Sequence, residues 1–354
     1  MNVDSPSVQT VPTADKLRFL GSPAAHGGVQ PDVIETHMSW LFAAGDRVLK
    51  LKKPVRTPFL DFSTVAARAF NCGEEVRLNR RLAPGVYVGV TPLVATADGC
   101  LAVGPAPGAT TVDWLVEMHR LPADRMLDAA IRSGTVSRAD IERLGERLAG
   151  FFRAARRVQL SAGAYLRRFD ALQAANREVL LRPAFAGVGA AAVLDAADAA
   201  RARHAAALGE RAERGHLREG HGDLRPEHVV LDGTPVVIDC LEFNAELREV
   251  DPFDELAFLG LECWMLGAAW IEGCLLAQVA GALGDAPAPA VQALYTAQRG
   301  LLRARLSAAH LLDAHPRTPE RWLPQTARYL AEAKSALARC WPAGRGGFTR
   351  RQSR

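Results

Sequence analysis

The stretch "EGHGDLRPEHVVLDGTPVVIDCLEFN" (219–244) packs His221, Asp223, His228, Asp239 and Glu242 among short apolar runs, more densely than anywhere else in the chain. "VVL" (229–231) and "VVI" (236–238) are β-branched runs on either side of "DGTP", which is the pattern of a hairpin. A hairpin brings its open ends together, with facing Cα atoms about 4.5–5.5 Å apart. His228 enters the first strand and Asp239 leaves the second, so the two are expected side by side at the hairpin mouth. Asp223 lies in the loop just before. Two candidate metal ligands and one further carboxylate would then converge.

The surroundings of this stretch set its context. From about residue 30 to 115 the texture is that of strands. "VIETHMSWLF" and "RVLKLKK" are β-rich runs joined by the turn sequence "AAGD". "DFSTVAARAFNCGEEVRLNRRLAP" follows as a helix that Ser63 or Thr64 can cap and Pro84 closes. From about 120 onward the chain turns helical and rich in Ala, Leu and Arg. "RADIERLGERLAGFFRAARR" is amphipathic, and "AAAVLDAADAARARHAAALGERAERG" reads as one long helix. The opening stretch is the one strand-like interruption in this half. Helices resume after 255 and run to about 340. There is no internal repeat. A small α+β lobe therefore precedes a larger helical lobe with a short β insert.

Composition narrows the classes of function. The 354 residues are 49% hydrophobic and 23% charged, ordinary for a globular chain of one or two domains. The formal net charge is +4. The last fourteen residues, "WPAGRGGFTRRQSR", hold four Arg and no acid, so the remaining chain is formally neutral. That body has no basic field pointing to nucleic acid, and the tail reads as a solvated, disordered end. The six Cys are scattered without a C-x-x-C, which suits a reducing cytoplasm better than a disulfide framework or a zinc site. The N-terminus carries no secretory signal pattern. "LGAAWIEGCLLAQVAGALG" is cut by Glu272 and falls short of the ~20 apolar residues that span a bilayer, so it reads as a buried helix and no membrane partner is expected.

The layout at 219–244 suits phosphoryl transfer, in which one carboxylate orients an attacking hydroxyl and accepts its proton while separate side chains hold Mg²⁺ on nucleotide phosphates. "HGDLRPEH…VVIDCLEF" resembles the catalytic segment of the aminoglycoside phosphotransferase-like kinases, relatives of protein kinases, whose pattern is H-G-D-x-x-x-x-N followed by a strand and I-D. "VIETHMSWLFAAGDRVLKLKKPV", "FLDFST", "EEVRLNRRLAP", "WLVEMHRLPADRML" and "DCLEFNAELREVDPFDELAFL" extend the likeness over about residues 30–265. They resemble one bacterial branch of that family, some of whose members are fused to a P-loop kinase domain. The resemblance implies that Asp223 is the catalytic base, Asp239 the metal-binding Asp and His221 a structural member of the loop. One position departs from the pattern. His228 stands where Asn is usual, and imidazole suits Mn²⁺ better than Mg²⁺. Glu227, Glu242 and Asn244 are the alternative oxygen donors.

Strand parity singles out a lysine. In "RVLKLKK" Val48, Lys50 and Lys52 share one face, and Leu49 and Leu51 the other. With the Leu face in the core, Val48 can cover an adenine while Lys50 reaches the phosphates. Lys52 is the fallback by the same parity. The lysine needs a carboxylate to hold it. Glu74 and Glu75 lie on the following helix, and the resemblance favours Glu75. The chain has no G-x-G-x-x-G and no Walker A, so phosphate contact at the first turn falls to backbone and to Thr36, His37 or Ser39. "WLVEMHRLP" is the expected connector, with the backbone around Glu117 and Met118 against the adenine edge. Asp254 is expected to fix the catalytic loop, and Glu242 to be a solvated loop acid.

These readings together predict an α+β, bilobal protein-kinase-like fold with a small β-rich N-lobe and a larger helical C-lobe. The boundaries are an N-terminal extension at 1–29, an N-lobe at 30–119, a C-lobe with catalytic loop and hairpin at 120–341, and a basic tail at 342–354. The expected activity is ATP-dependent phosphoryl transfer to a small-molecule acceptor in the cytoplasm, with ATP and Mg²⁺ or Mn²⁺ as cofactors. The alternatives are a nucleotide-binding pseudokinase, motivated by His228 and the missing Gly-rich loop, and a metal-dependent hydrolase built on the His/Asp cluster.

Overall fold

The structure, a computed structural model, describes residues 11–57, 60–313, 316 and 318–341. The expected tail and residues 1–10 of the expected extension lie outside them. In chain order the elements are α1 (Thr13–Leu20), β1 (Asp32–Glu35), β2 (Ser39–Ala44), β3 (Arg47–Lys52), β4 (Arg56–Thr57), β5 (Leu60–Asp61), α2 (Val65–Asn79), β6 (Tyr87–Ala95), β7 (Leu101–Val103) and β8 (Thr110–His119). Helices follow: α3 (Leu127–Ser133), α4 (Arg138–Ala154), α5 (Ala162–Leu180), α6 (Ala190–Arg203) and α7 (Ala205–Glu213). Then come β9 (Arg218–Glu219), β10 (Val229–Val230), β11 (Val236–Val237), β12 (Glu249–Val250), α8 (Pro252–Met265), α9 (Trp270–Leu283), α10 (Pro289–Ala309) and α11 (Pro319–Arg339). This is the α+β order the sequence predicts, strand-rich first and helical after.

The chain forms two compact units. One comprises residues 1–133 and 227–247, the other 134–226 and 248–354. The β10–β11 hairpin thus groups with the strand-rich unit and not with the helices that flank it in sequence. Its contacts explain why. Val230 bridges to Met126, the Leu231 N–H donates to the Arg125 carbonyl at 2.8 Å, and Val236 and Ile238 pack against Tyr87 and Met118.

The first unit is built on a six-stranded antiparallel sheet in the order β1-β2-β3-β8-β6-β7. The alternation of "RVLKLK" sorts its two faces. Leu49 and Leu51 join Leu20, Phe42, Leu93, Val112 and Leu115 in one core cluster. Val48 packs on the other face, where α2 supplies Cys72 and Val76 against Tyr87, Val116 and Met118. Helix α1, inside the expected extension, is part of this unit: Leu20 is fully buried and the Lys16 ammonium donates to Asp113 at 2.8 Å. Of the two candidate caps for α2, Thr64 accepts from the Ala67 N–H at 3.0 Å, while Ser63 is engaged by Asp61.

The second unit is helical, and two sequence expectations change there. The Ala-rich run expected as one helix breaks at His204 into α6 and α7. The His204 Nε2 lies 2.8 Å from the Cys340 carbonyl, and both halves pack on α5 while α6 also packs on α10 and α11. The apolar helix α9 buries only the stripe Ile271, Leu275 and Val279, against α4 and α8, and Trp270 is exposed. No helix among the described residues is long and apolar enough to cross a membrane.

Candidate active site

In the first unit, five charged side chains, Lys50, Lys52, Glu75, Asp239 and Glu242, converge under the sheet. Lys50, on β3, sits opposite Val116 of β8 and Leu41 of β2, so its side chain leaves the sheet on the α2 face. Its ammonium donates to Glu75 of α2 at 2.7 Å and to Asp239, 189 residues away, at 3.0 Å. Lys52, two residues on, donates to the other Glu75 oxygen at 2.5 Å and to Glu242. Both lysines therefore share Glu75. Glu74 instead pairs with Arg77 on the helix surface at 2.7 Å.

Burial makes this network electrostatically strong. Lys52 is 1% exposed and also lies 4.9 Å from the Phe62 ring. Burial alone would lower the Lys50 pKa, but Asp239 and Glu75 outweigh it and hold the group well above the ordinary lysine range. Burial would raise Glu75, yet the two ammonium groups bring it below the usual carboxylate value. Glu242 is shifted the other way, upward, because burial and the like charge of Glu75 work against its ionisation. The sequence read Glu242 as a solvated loop acid; it is a buried partner of Lys52.

The segment after β11 is fixed from several sides. The Asp239 N–H donates to the Tyr87 hydroxyl at 3.2 Å, and the Cys240 N–H to Asn79 Oδ1 at 2.9 Å. Asp239 has φ +61°, a region that among non-glycine residues Asp and Asn tolerate best. Its carboxylate is 48% exposed, which leaves it open to a ligand on one side. At the hairpin mouth Ile238 pairs back to the His228 carbonyl, and His228 Nε2 lies 3.6 Å from Asp239 Oδ2.

Asp239 and His228 offer one oxygen and one nitrogen to a metal ion. Among the described residues no three His, Cys, Asp or Glu side chains gather around one point. A Mg²⁺ or Mn²⁺ ion bound mainly through nucleotide phosphates needs only one or two protein carboxylates, so this pair fits such an ion. Asn244 turns to the Glu246 N–H at 2.9 Å and Glu242 is taken by Lys52, so neither is placed as the alternative oxygen donor.

The remaining residues of this unit are placed as follows. Thr36 and Ser39 bond each other across the β1–β2 turn, the Ser39 N–H donating to Thr36 Oγ1 at 3.0 Å, and Ser39 is buried. Val48 faces Met118 across the β3–β8 pair. Glu117 and Met118 lie inside β8, with partners in both β3 and β6, and Arg47 and Thr91 hold the Glu117 carboxylate. The strand runs on to His119, so the link to α3 begins only at Arg120.

In the second unit, the loop after β9 carries His221 and Asp223. His221 is 1% exposed and its Nδ1 accepts from the Asp223 N–H at 3.3 Å. The Asp223 carboxylate takes a bond from Arg225 at 2.9 Å. Glu255 of α8 fixes this loop: its carboxylate accepts from the His221 N–H at 2.8 Å and from the Gly222 N–H. Asp254, expected in that role, is bound instead by Arg299 of α10 at 2.7 Å. The two acids are adjacent on a helix that is buried nearly all round, so periodicity does not choose between them. Gly220 is the point of close approach. A Cβ there would lie 2.6 Å from the Glu255 carboxylate, so Gly220→Ala would push the loop off its anchor.

Glu255 gives a pH prediction. Burial pushes its carboxyl up to about 7, against the pull of the two N–H groups toward ionisation. The folded chain thus holds this proton more tightly than the unfolded chain. Its contribution to stability is full below pH 4.5, the ordinary glutamate value, and is lost as pH rises through about 7. Glu255→Gln removes the titration. The stability gap between wild type and this variant should shrink by about 2–3 kcal/mol between roughly pH 5 and pH 8. Chemical denaturation at the two pH values measures it, and a gap that does not change with pH contradicts the assignment.

No family model matches the chain. Uncharacterised proteins of Mycobacterium tuberculosis and Mycobacterium bovis are 30% identical to it over 291 residues, covering 80% of this chain and 56% of theirs. The chain thus spans little more than half the length of the curated relatives it matches. Among solved structures it is similar to a thermostable mutant of an aminoglycoside phosphotransferase in ternary complex with AMP-PNP and hygromycin B. The TM-score is 0.52 at 13% identity, over 94% of this chain and 100% of that chain. It is also similar to choline kinase from Cryptosporidium parvum, with a TM-score of 0.50 at 9% identity, over 92% of this chain and 96% of that chain. The chain therefore has the aminoglycoside phosphotransferase-like, protein-kinase-like fold.

Proposed function

We propose that this chain, on its phosphotransferase-like fold, moves the γ-phosphoryl group of ATP to a hydroxyl of a small molecule. The observation that carries the reading is the bond of Lys50 to both Glu75 and Asp239, which joins the strand lysine, the helix carboxylate and the residue after the hairpin in one unit. An ammonium has three donors, and two are used here, so one remains for a phosphate oxygen. Val48 and Met118 offer an apolar surface on the same sheet face for the base, and Thr36, Ser39 and the backbone around Glu117 are assigned to the nucleotide side.

Asp223 is assigned as the base on the strength of its place in the H-G-D motif. Its carboxylate orients the acceptor hydroxyl and takes its proton. The acceptor oxygen bonds to the γ-phosphorus as the bond from that phosphorus to the β–γ bridging oxygen breaks, and ADP leaves. His221 and Glu255 hold the loop. A bound Mg²⁺ or Mn²⁺ supplies neutralisation of phosphate charge, and Asp239 with His228 would hold it. His228, in place of an oxygen ligand, favours a second reading, a pseudokinase that binds nucleotide without turnover. A hydrolase centre on the His/Asp cluster has less support, since it leaves the Lys50–Glu75–Lys52 network without a role.

The test is nucleotide binding. AMP-PNP with Mn²⁺ or Mg²⁺ should raise the melting temperature by mass action on the native state. Lys50→Met should weaken binding by about tenfold or more, the loss of a charge-assisted hydrogen bond to phosphate. Absence of any shift with either metal would remove both the kinase and the pseudokinase readings.

A further inference from the structure

The second unit holds a pocket of about 170 Å³ lined by Arg157, Arg214, His216, Arg218, Pro252 and Asp285, with glycines 215 and 284 at its edge. Three guanidinium groups face one carboxylate there. That carboxylate is already taken: Asp285 accepts from Arg211 at 2.7 and 3.2 Å and pairs with His216 Nδ1 at 2.8 Å. Arg218 is half-buried and donates only to backbone, the carbonyls of Phe152, Gly215 and Leu217 at 3.2, 2.6 and 3.0 Å. Burial, and then the neighbouring charge of Arg157, push its pKa below the ordinary arginine value, against the pull of Asp251 and Asp285. The Arg157 side chain has no ion-pair partner among the described residues. Arg214 has Glu210, one turn back on the exposed helix surface at 2.5 Å, a type of pair that neutralises little.

A half-buried arginine beside two exposed ones, with the one lining carboxylate bonded to Arg211 and His216, is a cationic corner that an added anion would stabilise. Planar guanidinium groups match the oxygens of a phosphate group in pairs. The pocket volume also exceeds several times the ~30 Å³ share of one water in the liquid, so a phosphate-sized group fits.

The pocket also connects to the catalytic loop through bonded groups. Arg211, which grips Asp285, binds Asp251 on its other side. Asp251 caps α8, accepting from the Phe253 N–H at 3.0 Å and from the Tyr295 hydroxyl at 3.0 Å. One turn further, α8 carries Glu255, which holds the His221 and Gly222 N–H groups.

We propose that this pocket binds the phosphate group of a small anion, and that the bound anion steadies the loop of His221 and Asp223 through Asp285, Arg211 and α8. The binding stands apart from the kinase reading. Only the significance of the steadied loop rests on it.

The probe is inorganic phosphate, titrated by calorimetry into wild type, Arg157→Gln/Arg214→Gln, Lys50→Met and Arg138→Gln. Both pocket arginines in the double variant are exposed, so their loss spares the fold. The double variant should bind phosphate about tenfold or more weakly. Lys50→Met should bind as wild type does, which separates this pocket from the proposed nucleotide site. Arg138→Gln, an exposed arginine elsewhere, controls for general charge. No phosphate binding, or equal loss in the double variant and Arg138→Gln, overturns the site. Glycerol phosphate in a parallel titration tells a phosphate ester from the free ion, and binding of either supports it. Hydrogen exchange with and without phosphate reads the link. Slower exchange at residues 221–223 is expected, and protection confined to 214–218 overturns the coupling to the loop.

Discussion

Asp223→Asn is expected to lower the proposed phosphoryl transfer by about 10²–10⁴-fold, the usual contribution of a positioned general base, and to leave nucleotide affinity close to that of wild type. The change keeps size and shape. The Asn oxygen still accepts from Arg225, and the Asp223 N–H still meets His221 Nδ1, so the loop keeps its hydrogen bonds. What is lost is the carboxylate proposed to take the proton. Asp239→Asn should behave differently, since Asp239 is bonded to Lys50 and is the exposed carboxylate proposed to hold the metal ion. It should lower affinity and turnover together. The measurement is the initial rate of ADP formation beside AMP-PNP affinity for the three proteins. Where the acceptor is not yet identified, slow ATP hydrolysis serves as the rate. Equal turnover in wild type and Asp223→Asn would mean that the activity does not use this carboxylate. Turnover absent from all three, with affinity intact in wild type, would favour the pseudokinase.

The contrast between Asp223 and Glu242 shows what the sequence carried. Asp223 could be singled out because it sits in a short local pattern, a His and a Gly before it and a hairpin after it, and its role as base stays a proposal. The two faces of β3 were legible for the same reason, since alternation along one strand decides which side chains meet the core. Lys50 and Lys52 have the same parity, however, and parity places both on one face without saying that one carboxylate serves them both. That fact depends on α2 crossing the sheet so that Glu75 lies between them, and on Glu242 arriving from 190 residues away. The same holds for Glu255. It and Asp254 differ by one step around a helix buried on nearly every side, and only the position of Arg299 separates their roles. The break at His204 was hidden in a different way. Ala-rich sequence favours helix throughout, and the interruption goes with tertiary contacts, the His204 ring meeting the Cys340 carbonyl and α6 packing on α10 and α11 as well as on α5.

The largest effect on stability should come from Lys52. Its ammonium is buried between Glu75, Glu242 and the face of Phe62. Lys52→Met keeps most of the apolar stem and removes the charge. Glu75 still has Lys50, but Glu242 loses the ammonium bonded to it in a buried place, and removing one partner of such a pair costs about 3–5 kcal/mol. Against a total stability of about 5–15 kcal/mol, that is a large share. Glu242 is already shifted upward by burial, so in the variant, with the pull of Lys52 gone, it should take up a proton more readily. The folded pKa then stands further above the unfolded one, so the penalty is small at low pH and grows as pH rises. Lys52→Met should therefore lose less stability at about pH 5 than at about pH 8. Lys52→Met/Glu242→Leu removes both charges and fills the space with apolar groups, a replacement that is often close to neutral for buried pairs. The double variant should be more stable than Lys52→Met alone, with a coupling of about 0.5–3 kcal/mol. Urea denaturation of the four proteins closes the cycle. Additive losses would mean that Glu242 does not depend on Lys52, and that the two are neighbours without energetic linkage.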